Sequence, residues 1–590
     1  MKKSQVLSYG IVTGSGPEYT YFQKTYFIDK SGVMHISTHR LLRIGEIIPA
    51  AVRIIPFFNG SVLALEDCKV RIIHANGKTS RFNQGDLSSQ ALSSKAMTLK
   101  AELMYLPLSD YLKPHDFIEI YTVHTKSLPR LGIQFSLADL EFPAENIECD
   151  IQVSPGQHLL WKVMNDTLSP QITRSASGMH YQFVWSQYKA TNNIKSPYQK
   201  RNTAPGVLGT IGIADSMNSL PDIRKQWIAF GDWYLDLIRD KLVPSPSIKI
   251  LAHQVIGSAQ TASEKMEAIF NYCRDNIRYE QVYIANGEWI PNDGESILHR
   301  KYGDCKDYAL IIYLMAKSVG LDPQLALTFR GTGVEFYPGI PVPQFNHMLA
   351  TFKINGQRYW YDGTNGAGPP LPTRDLTNAP VLILKKHHSK IASIPESDAA
   401  YLNISGHFTY RDNTTLSGSV TIVLQDQYAL GLMNLIRYLN PGEIQPLLKE
   451  WIHRNIHSEV QIRQLTWQQD NTTFTLDFEG DFHNALLKYQ GTYYTSIKRL
   501  CDQLLPNNVH QIAAEDFDYF PYYARVNTTL VLDGFRSGND DETVQVDDAV
   551  LSLDYYIPPG PYTAKSRTFS MEQLNKANQE YTVNHSLKRE

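Results

Sequence analysis

Cysteine is scarce in this sequence: five in 590 residues, namely Cys68, Cys149, Cys273, Cys305 and Cys501. The shortest gap, from 273 to 305, is far too long for a CxxC or zinc-ribbon spacing. An odd, sparse set also excludes a disulfide scaffold. An excess of one charge is lacking too. Lys and Arg total 56 against 59 for Asp and Glu, a net charge of −3 with a sequence pI of about 6.7. No global basic field is present to attract nucleic acid or an anionic membrane. No run approaches the ~20 apolar residues of a membrane-spanning helix. After Met1-Lys2-Lys3, Gly10, Thr13, Gly14 and Ser15 stand where the apolar core of a signal peptide would be. As written the chain reads as soluble and cytoplasmic, or as periplasmic or exported if a signal has been removed. What is present is a globular balance, 43% hydrophobic and 19% charged. The length suits roughly three or four domains.

Residues 1–200 read as a β-rich, sandwich-like domain with antiparallel pairing. Strand-like runs over 19–27, 52–57, 70–73 and 117–123 alternate with the turn pairs Asn59-Gly60, Asn76-Gly77 and Pro155-Gly156. Residues 201–224 read as a linker. Over 225–395 helices and strands mix. Ile223, Trp227, Phe230, Tyr234 and Leu237 recur at helical spacing, and Thr261-x-x-Glu264 is a capping box ahead of Met266, Ile269, Phe270, Cys273 and Ile277. Cys273 on that stripe reads as core. Residues 396–570 return to strand-like runs with a helical insert near 427–455, and 571–590 read as a polar tail. The whole is multidomain α+β.

His35 and His39 are four apart, but on a strand that spacing spans roughly 13 Å, and no third ligand accompanies them. Lys386-His387-His388 reads as a solvated basic patch. No metal and no cofactor are expected.

The chemistry concentrates around one cysteine. Lys301-Tyr302-Gly303-Asp304-Cys305-Lys306-Asp307 precedes an apolar stripe of Leu310, Ile311, Leu314 and Met315, with Gly320 as a C-terminal stop. Gly303 allows a tight turn and Asp304 is a good N-cap residue. Cys305 then falls in the first helical turn, where free N–H groups and the helix dipole favour a thiolate and offer donors to an oxyanion. A nucleophilic cysteine needs a base, and the base needs an orienting group. Asn355-Gly356 between Phe345–Ile354 and Gln357–Asp362 is a strong hairpin signal. With a two-residue turn, Ile354 pairs with Gln357 and Leu349 faces Asp362. His347 and Asp362 then become diagonal neighbours on one face, within side-chain reach.

Gly303-Asp304-Cys305-Lys306-Asp307, Phe345-Asn346-His347 and Tyr359-Trp360-Tyr361-Asp362-Gly363-Thr364 resemble the three motifs of the bacterial transglutaminase-like superfamily. The resemblance covers about residues 225–375. It implies a papain-related α+β core with a Cys-His-Asp triad: Cys305 as nucleophile, His347 as general base and acid, Asp362 as orienting residue. It also implies a second oxyanion donor from the lead-in to the cysteine, supplied by Trp289 or Tyr279. The β-rich N-terminal region resembles an uncharacterised domain that commonly precedes such cores. The expected function is acyl transfer on a peptide or protein amide through a Cys thioester, resolved by water or by an amine. The alternative is an inactive core in a scaffold whose β-rich flanks bind a protein or glycan partner. No nucleic acid partner and no integral membrane segment are expected.

Overall fold

The computed structural model describes residues 16–29, 33–60, 63–93, 98–128, 132–189, 204–213, 222–280, 289–330, 336–365, 376, 378–395, 401–425, 427–437, 439–470, 473–504, 525–537, 549–556 and 564–589. The N-terminal strands build one eight-stranded sheet. Its order is Gln171–Ser175, Gly178–Tyr188, Ala144–Val153, Glu18–Ile28, Met34–Arg43, Phe117–Lys126, Leu63–Ile73 and Thr79–Asn83. Two three-stranded sheets pack on it. One joins Gln157–Met164, Gly206–Ile213 and Ile133–Ser136; the other joins Ile54–Gly60, Thr98–Pro107 and Ser88–Ser93. Phe135, Val163 and Val207 from the first and Phe57 and Leu106 from the second enter one core with Ile72, Ile118 and Ile147 of the large sheet. That is the sandwich-like arrangement expected.

Pairing is not all antiparallel. Glu18–Ile28 runs parallel to Ala144–Val153, because a strand's side-chain period says nothing about the direction of a partner more than a hundred residues away. A second correction concerns the expected linker. Residues 206–213 of it form a strand between two others, while 201–203 and 214–221 lie outside the described residues. Gly206 and Gly209 look like linker residues but serve close packing. A Cβ on Gly206 would sit 2.3 Å from the Phe135 carbonyl oxygen.

The central region puts helices on an antiparallel five-stranded sheet. The sheet order is Gln357–Tyr361, His347–Ile354, Gln324–Thr328, Pro380–Ile383 and Lys390–Ser393. Helix Ala262–Asn276 starts at the expected Thr261/Glu264 capping box and buries Met266, Ile269, Phe270 and Cys273. Helix Ile223–Leu237, capped by Asp222, buries Trp227, Phe230 and Tyr234. Helix Cys305–Ser318 stops where Gly320 turns with φ 81° and Leu321 N–H bonds back to Ala316. Lys386 and His387 are not a merely solvated patch: they pair with Asp236 at 2.6 Å and Asp232 at 3.0 Å on helix Ile223–Leu237.

The C-terminal region is a six-stranded sheet with the expected helical insert, split into Gln427–Ile436 and Pro441–Asn455. The chain end is not a tail. Helix Ala564–Thr582 and strand His585–Arg589 close this region, with Ala577, Tyr581 and Leu587 buried and the Tyr581 hydroxyl donating to the Cys501 carbonyl at 2.7 Å. Three buried side chains spread over eleven residues are too few to stand out in a polar stretch. Gln134 Nε2 donates to the Pro343 carbonyl at 2.9 Å, tying the N-terminal sheets to the central region. No helix among the described residues is long and apolar enough to cross a membrane.

Candidate active site

Asp304 decides where the cysteine helix begins. Its carboxylate accepts from the amides of Lys306 at 3.1 Å and Asp307 at 3.3 Å, and the Asp307 carboxylate accepts from the Asp304 N–H at 3.4 Å. Cys305 is therefore the first helical residue, and it is 3% exposed. Of the first-turn amides expected to receive an oxyanion, two are already taken by Asp304. The Cys305 N–H makes no hydrogen bond among the described residues. Gly303 is needed for space rather than for a positive φ: a Cβ there would meet Asp307 Cβ at 2.6 Å. Asp307 is fixed from outside by Asn292, which donates its N–H at 2.8 Å and its side-chain amide at 3.0 Å. Lys306 turns inward and is fully buried against the Asp304 carboxylate. Burial opposes the ammonium charge, but Asp304 and then Asp307 hold Lys306 above the ordinary lysine range.

The hairpin positions the other two residues. Asn355 and Gly356 adopt φ 50° and 85°, as a two-residue type I′ turn demands. The expected register holds over five pairs, from Ile354↔Gln357 to Ala350↔Tyr361. Asp362 follows the end of that ladder, and His347 Nε2 lies 3.2 Å from its Oδ1. The oxygen sits off the ring N–H direction, so the contact is a close ion pair rather than a straight hydrogen bond. Cys305 stands near enough to the imidazole to favour its charged form. Cys305, His347 and Asp362 are all buried, and His347 and Asp362 are in direct contact. Burial disfavours an imidazolium, but the Asp362 carboxylate, then Cys305, outweigh it and hold His347 up to about 9. Burial likewise disfavours the Asp362 charge, and His347 and Arg330 hold its carboxyl well below the usual range.

Three further residues surround Asp362. Thr364 donates to Oδ1 from its N–H at 3.1 Å and its hydroxyl at 2.6 Å. Arg330 donates to the Thr364 hydroxyl and stands 3.5 Å from Asp362 Oδ2. Gly363 leaves room for the Tyr308 ring, which a Cβ would overlap at 2.2 Å. Gly363 and Thr364 belong to the motif that follows the hairpin; nothing in the sequence signals Arg330.

Trp289 and Tyr279 both pack in the apolar cluster that holds Cys305. The Trp289 carbonyl accepts from the Tyr234 hydroxyl at 2.7 Å. The Tyr279 hydroxyl has no partner among the described residues; burial, then Cys305, pushes its pKa up. The other four cysteines are buried as free thiols, and burial pushes Cys68 up to about 11 and Cys149, Cys273 and Cys501 higher still. His35 pairs with Asp29 at 2.8 Å and His39 with Glu119 at 3.0 Å, and no group of three metal-ligating side chains exists among the described residues.

Residues 249–362 match the model of the transglutaminase-like superfamily. No curated protein matches the chain in sequence. Among solved structures, a candidate protease of Parabacteroides distasonis superposes with a TM-score of 0.53 at 11% identity, covering 80% of this chain and 95% of that one. At that identity the likeness speaks for the fold alone. A candidate cysteine protease of Cytophaga hutchinsonii is 13% identical over 58% of this chain and 94% of its own, with a TM-score of 0.18 that carries no argument. Residues 249–362 form a transglutaminase-like domain, set within a multidomain α+β chain.

Proposed function

We propose that this chain is a cysteine-dependent acyl-transfer enzyme acting on a peptide or protein amide. The observation that carries the reading is the 3.2 Å approach of His347 Nε2 to Asp362 Oδ1, both buried, with Cys305 buried at the start of the neighbouring helix. Asp362 and Cys305 favour the charged form of His347. An imidazolium beside the thiol balances the thiolate, as a nucleophilic cysteine requires.

The Cys305 thiolate attacks the amide carbonyl carbon. A C–S bond forms and the carbonyl π electrons move to oxygen. The unbonded Cys305 N–H is one donor to that oxyanion. Tyr279, with its free hydroxyl, or Trp289 is the second. As the intermediate collapses the C–N bond breaks, and His347 gives its proton to the leaving amine. A thioester remains on Cys305. His347, now neutral, takes a proton from water or from an amine as that nucleophile attacks the thioester, and the thiolate leaves. Water yields an acid and makes the enzyme a peptidase or amidase; an amine yields a new amide and makes it a transamidase.

The test is capture of the thioester. The chain is incubated with a pool of peptides, quenched in acid and mapped by mass spectrometry. An acyl adduct on Cys305, absent from Cys305→Ala and with a primary amine diverting the product from acid to amide only in a transamidase, is the expected result. No adduct, with Cys305 no more reactive than a free thiol, overturns the proposal.

A further inference from the structure

A second set of hydroxyl, imidazole and carboxylate stands at one edge of the large N-terminal sheet. Strand Thr79–Asn83 is the outermost strand there and pairs with Leu63–Ile73. The turn His74-Ala75-Asn76-Gly77 joins them. Gly77, at φ 82°, donates its N–H to the His74 carbonyl at 2.8 Å, and His74 N–H donates to the Lys78 carbonyl at 2.9 Å. The ladder continues with Ile73 opposite Thr79 and Ile72 opposite Ser80. His74 and Ser80 are therefore diagonal neighbours on one face. His74 Nε2 lies 3.3 Å from Ser80 Oγ, and His74 Nδ1 lies 2.9 Å from Asp116 Oδ2.

Asp116 is held in place before strand Phe117–Lys126. Its carboxylate also accepts from the Lys113 N–H at 2.8 Å, and its carbonyl accepts from the Ile44 N–H at 2.8 Å. Asp116 is 1% exposed, the His74 side chain 15%, and Ser80 is part-exposed. Exposure thus rises from carboxylate to imidazole to hydroxyl, as it must for a nucleophile that meets substrate from solvent. A proton on Nδ1, directed at Asp116, leaves Nε2 to accept the Ser80 O–H. A histidine that merely satisfied a surface serine would need no buried carboxylate behind it. Phe82, two residues beyond Ser80 on the same face, meets Tyr111 edge-on with ring centres 4.9 Å apart, and Tyr111 is 46% exposed. An apolar wall therefore stands on the serine's side of the strand. By the alternation of an antiparallel ladder, the N–H of Arg81 points off the open edge. That is a backbone donor on the residue after the serine, open to an oxyanion.

We propose that Ser80, His74 and Asp116 form a serine esterase site for carboxylic esters with a small apolar acyl group. Ser80 Oγ attacks the ester carbonyl carbon while His74 Nε2 takes the hydroxyl proton. The C–O bond to the alcohol breaks, and His74 gives that proton to the departing oxygen. An acyl ester remains on Ser80. Water then attacks it, giving its proton to His74; the Ser80 oxygen leaves, takes the proton back, and the acid is released. Asp116 acts through His74 as a positioning residue. A single backbone donor suits an ester, whose alcohol leaves more readily than an amine. The site shares no residue with Cys305, His347 and Asp362 and does not rest on that reading.

The test is labelling of the full chain with an alkyl fluorophosphonate, which bonds to an activated serine with loss of fluoride, read by peptide mapping. Ser80 should be labelled on the order of 10²-fold faster than the other serines of the chain, with a rate that rises with pH in one step as His74 loses its proton. His74→Gln should slow the labelling by on the order of 10²-fold or more and remove the step. Asp116→Asn should slow it and move the step to lower pH, because a carboxylate favours a charged imidazole. A step left in place would make Asp116 structural and overturn its role. The label should remove the same share of para-nitrophenyl butyrate hydrolysis as Ser80→Ala does, and the butyrate should be cleaved faster than the acetate. Ser80 labelled no faster than other serines, or equally fast in His74→Gln, overturns the site. So does butyrate hydrolysis unchanged by both the label and Ser80→Ala. Faster cleavage of the acetate overturns the apolar acyl group.

Discussion

Asn346 and the Arg330 backbone hold one another at both ends. The carboxamide oxygen accepts the Arg330 N–H at 2.6 Å, and the carboxamide nitrogen donates to the Arg330 carbonyl at 2.9 Å. The residue next to His347 thereby sets where the Arg330 guanidinium lies, and that guanidinium steadies Thr364 and Asp362. The contacts form a closed ring: Asn346 to Arg330, Arg330 to Thr364 and Asp362, Asp362 to His347. A ring of this kind holds an imidazole to one orientation without any contact to substrate.

Arg330→Gln should loosen that ring without emptying the core. The expected loss in turnover, or in Cys305 alkylation rate, is on the order of 10²-fold, the scale of a small misplacement of reacting groups. The pH profile should move too. Arg330 competes with His347 for Asp362, so removing its charge raises the pH at which His347 deprotonates. Arg330→Lys should restore the charge effect better than the rate. An unchanged pH profile with a reduced rate would reduce Arg330 to a purely structural role.

Asp362→Asn removes what keeps His347 charged. Burial is then opposed by Cys305 alone, and the imidazole pKa should fall well below about 9. Turnover should drop by about 10⁴-fold. The sign for stability follows. A raised folded-state pKa stabilises fully below ~6.5, and that contribution fades as pH rises through about 9. Urea midpoints of the parent should therefore decline across that alkaline window, while those of Asp362→Asn should not show this decline.

Gly363→Ala tests how closely the Asp362 turn abuts the cysteine helix. The added methyl meets the Tyr308 ring, so destabilisation of about 1–3 kcal/mol is expected, with displacement of Asp362. Denaturant unfolding and Cys305 alkylation should both register it. Full stability and full reactivity together would show that the ring gives way freely.

Lys306→Met leaves the buried Asp304 carboxylate unpaired and should destabilise the chain by about 3–5 kcal/mol. Adding Asp304→Asn, which keeps a capping side chain, should recover part of the loss. If the double variant is no better than the single, the pair is not what Lys306 contributes.

The local parts of this structure were legible because their causes are local. Asn355-Gly356 names its turn, the turn names the register, and the register brings His347 to Asp362. Asp304 and Thr261 name helix starts. What stayed hidden depends on distant partners. Lys306 reads as a solvent residue until Asp304 and Asp307 enclose it. Arg330 gains its role from residues sixteen and thirty-four positions away. The parallel partner of Glu18–Ile28 lies across most of the N-terminal region. Strand 206–213 was masked by the glycines that let it pack closely, and the end of the chain by a short, sparse apolar pattern.

The most direct measurement is the alkylation rate of each cysteine in the native chain as a function of pH, read by peptide mapping. Low cysteine usage makes this clean, since burial pushes the thiols of Cys68, Cys149, Cys273 and Cys501 up. Cys305 should be labelled selectively. At about pH 6 its rate should exceed that of a free thiol by on the order of tenfold or more, because an ordinary thiol is almost wholly protonated there. His347→Ala should abolish that acid-side advantage. A Cys305 that reacts no faster than a free thiol, or equally fast without His347, would contradict the account.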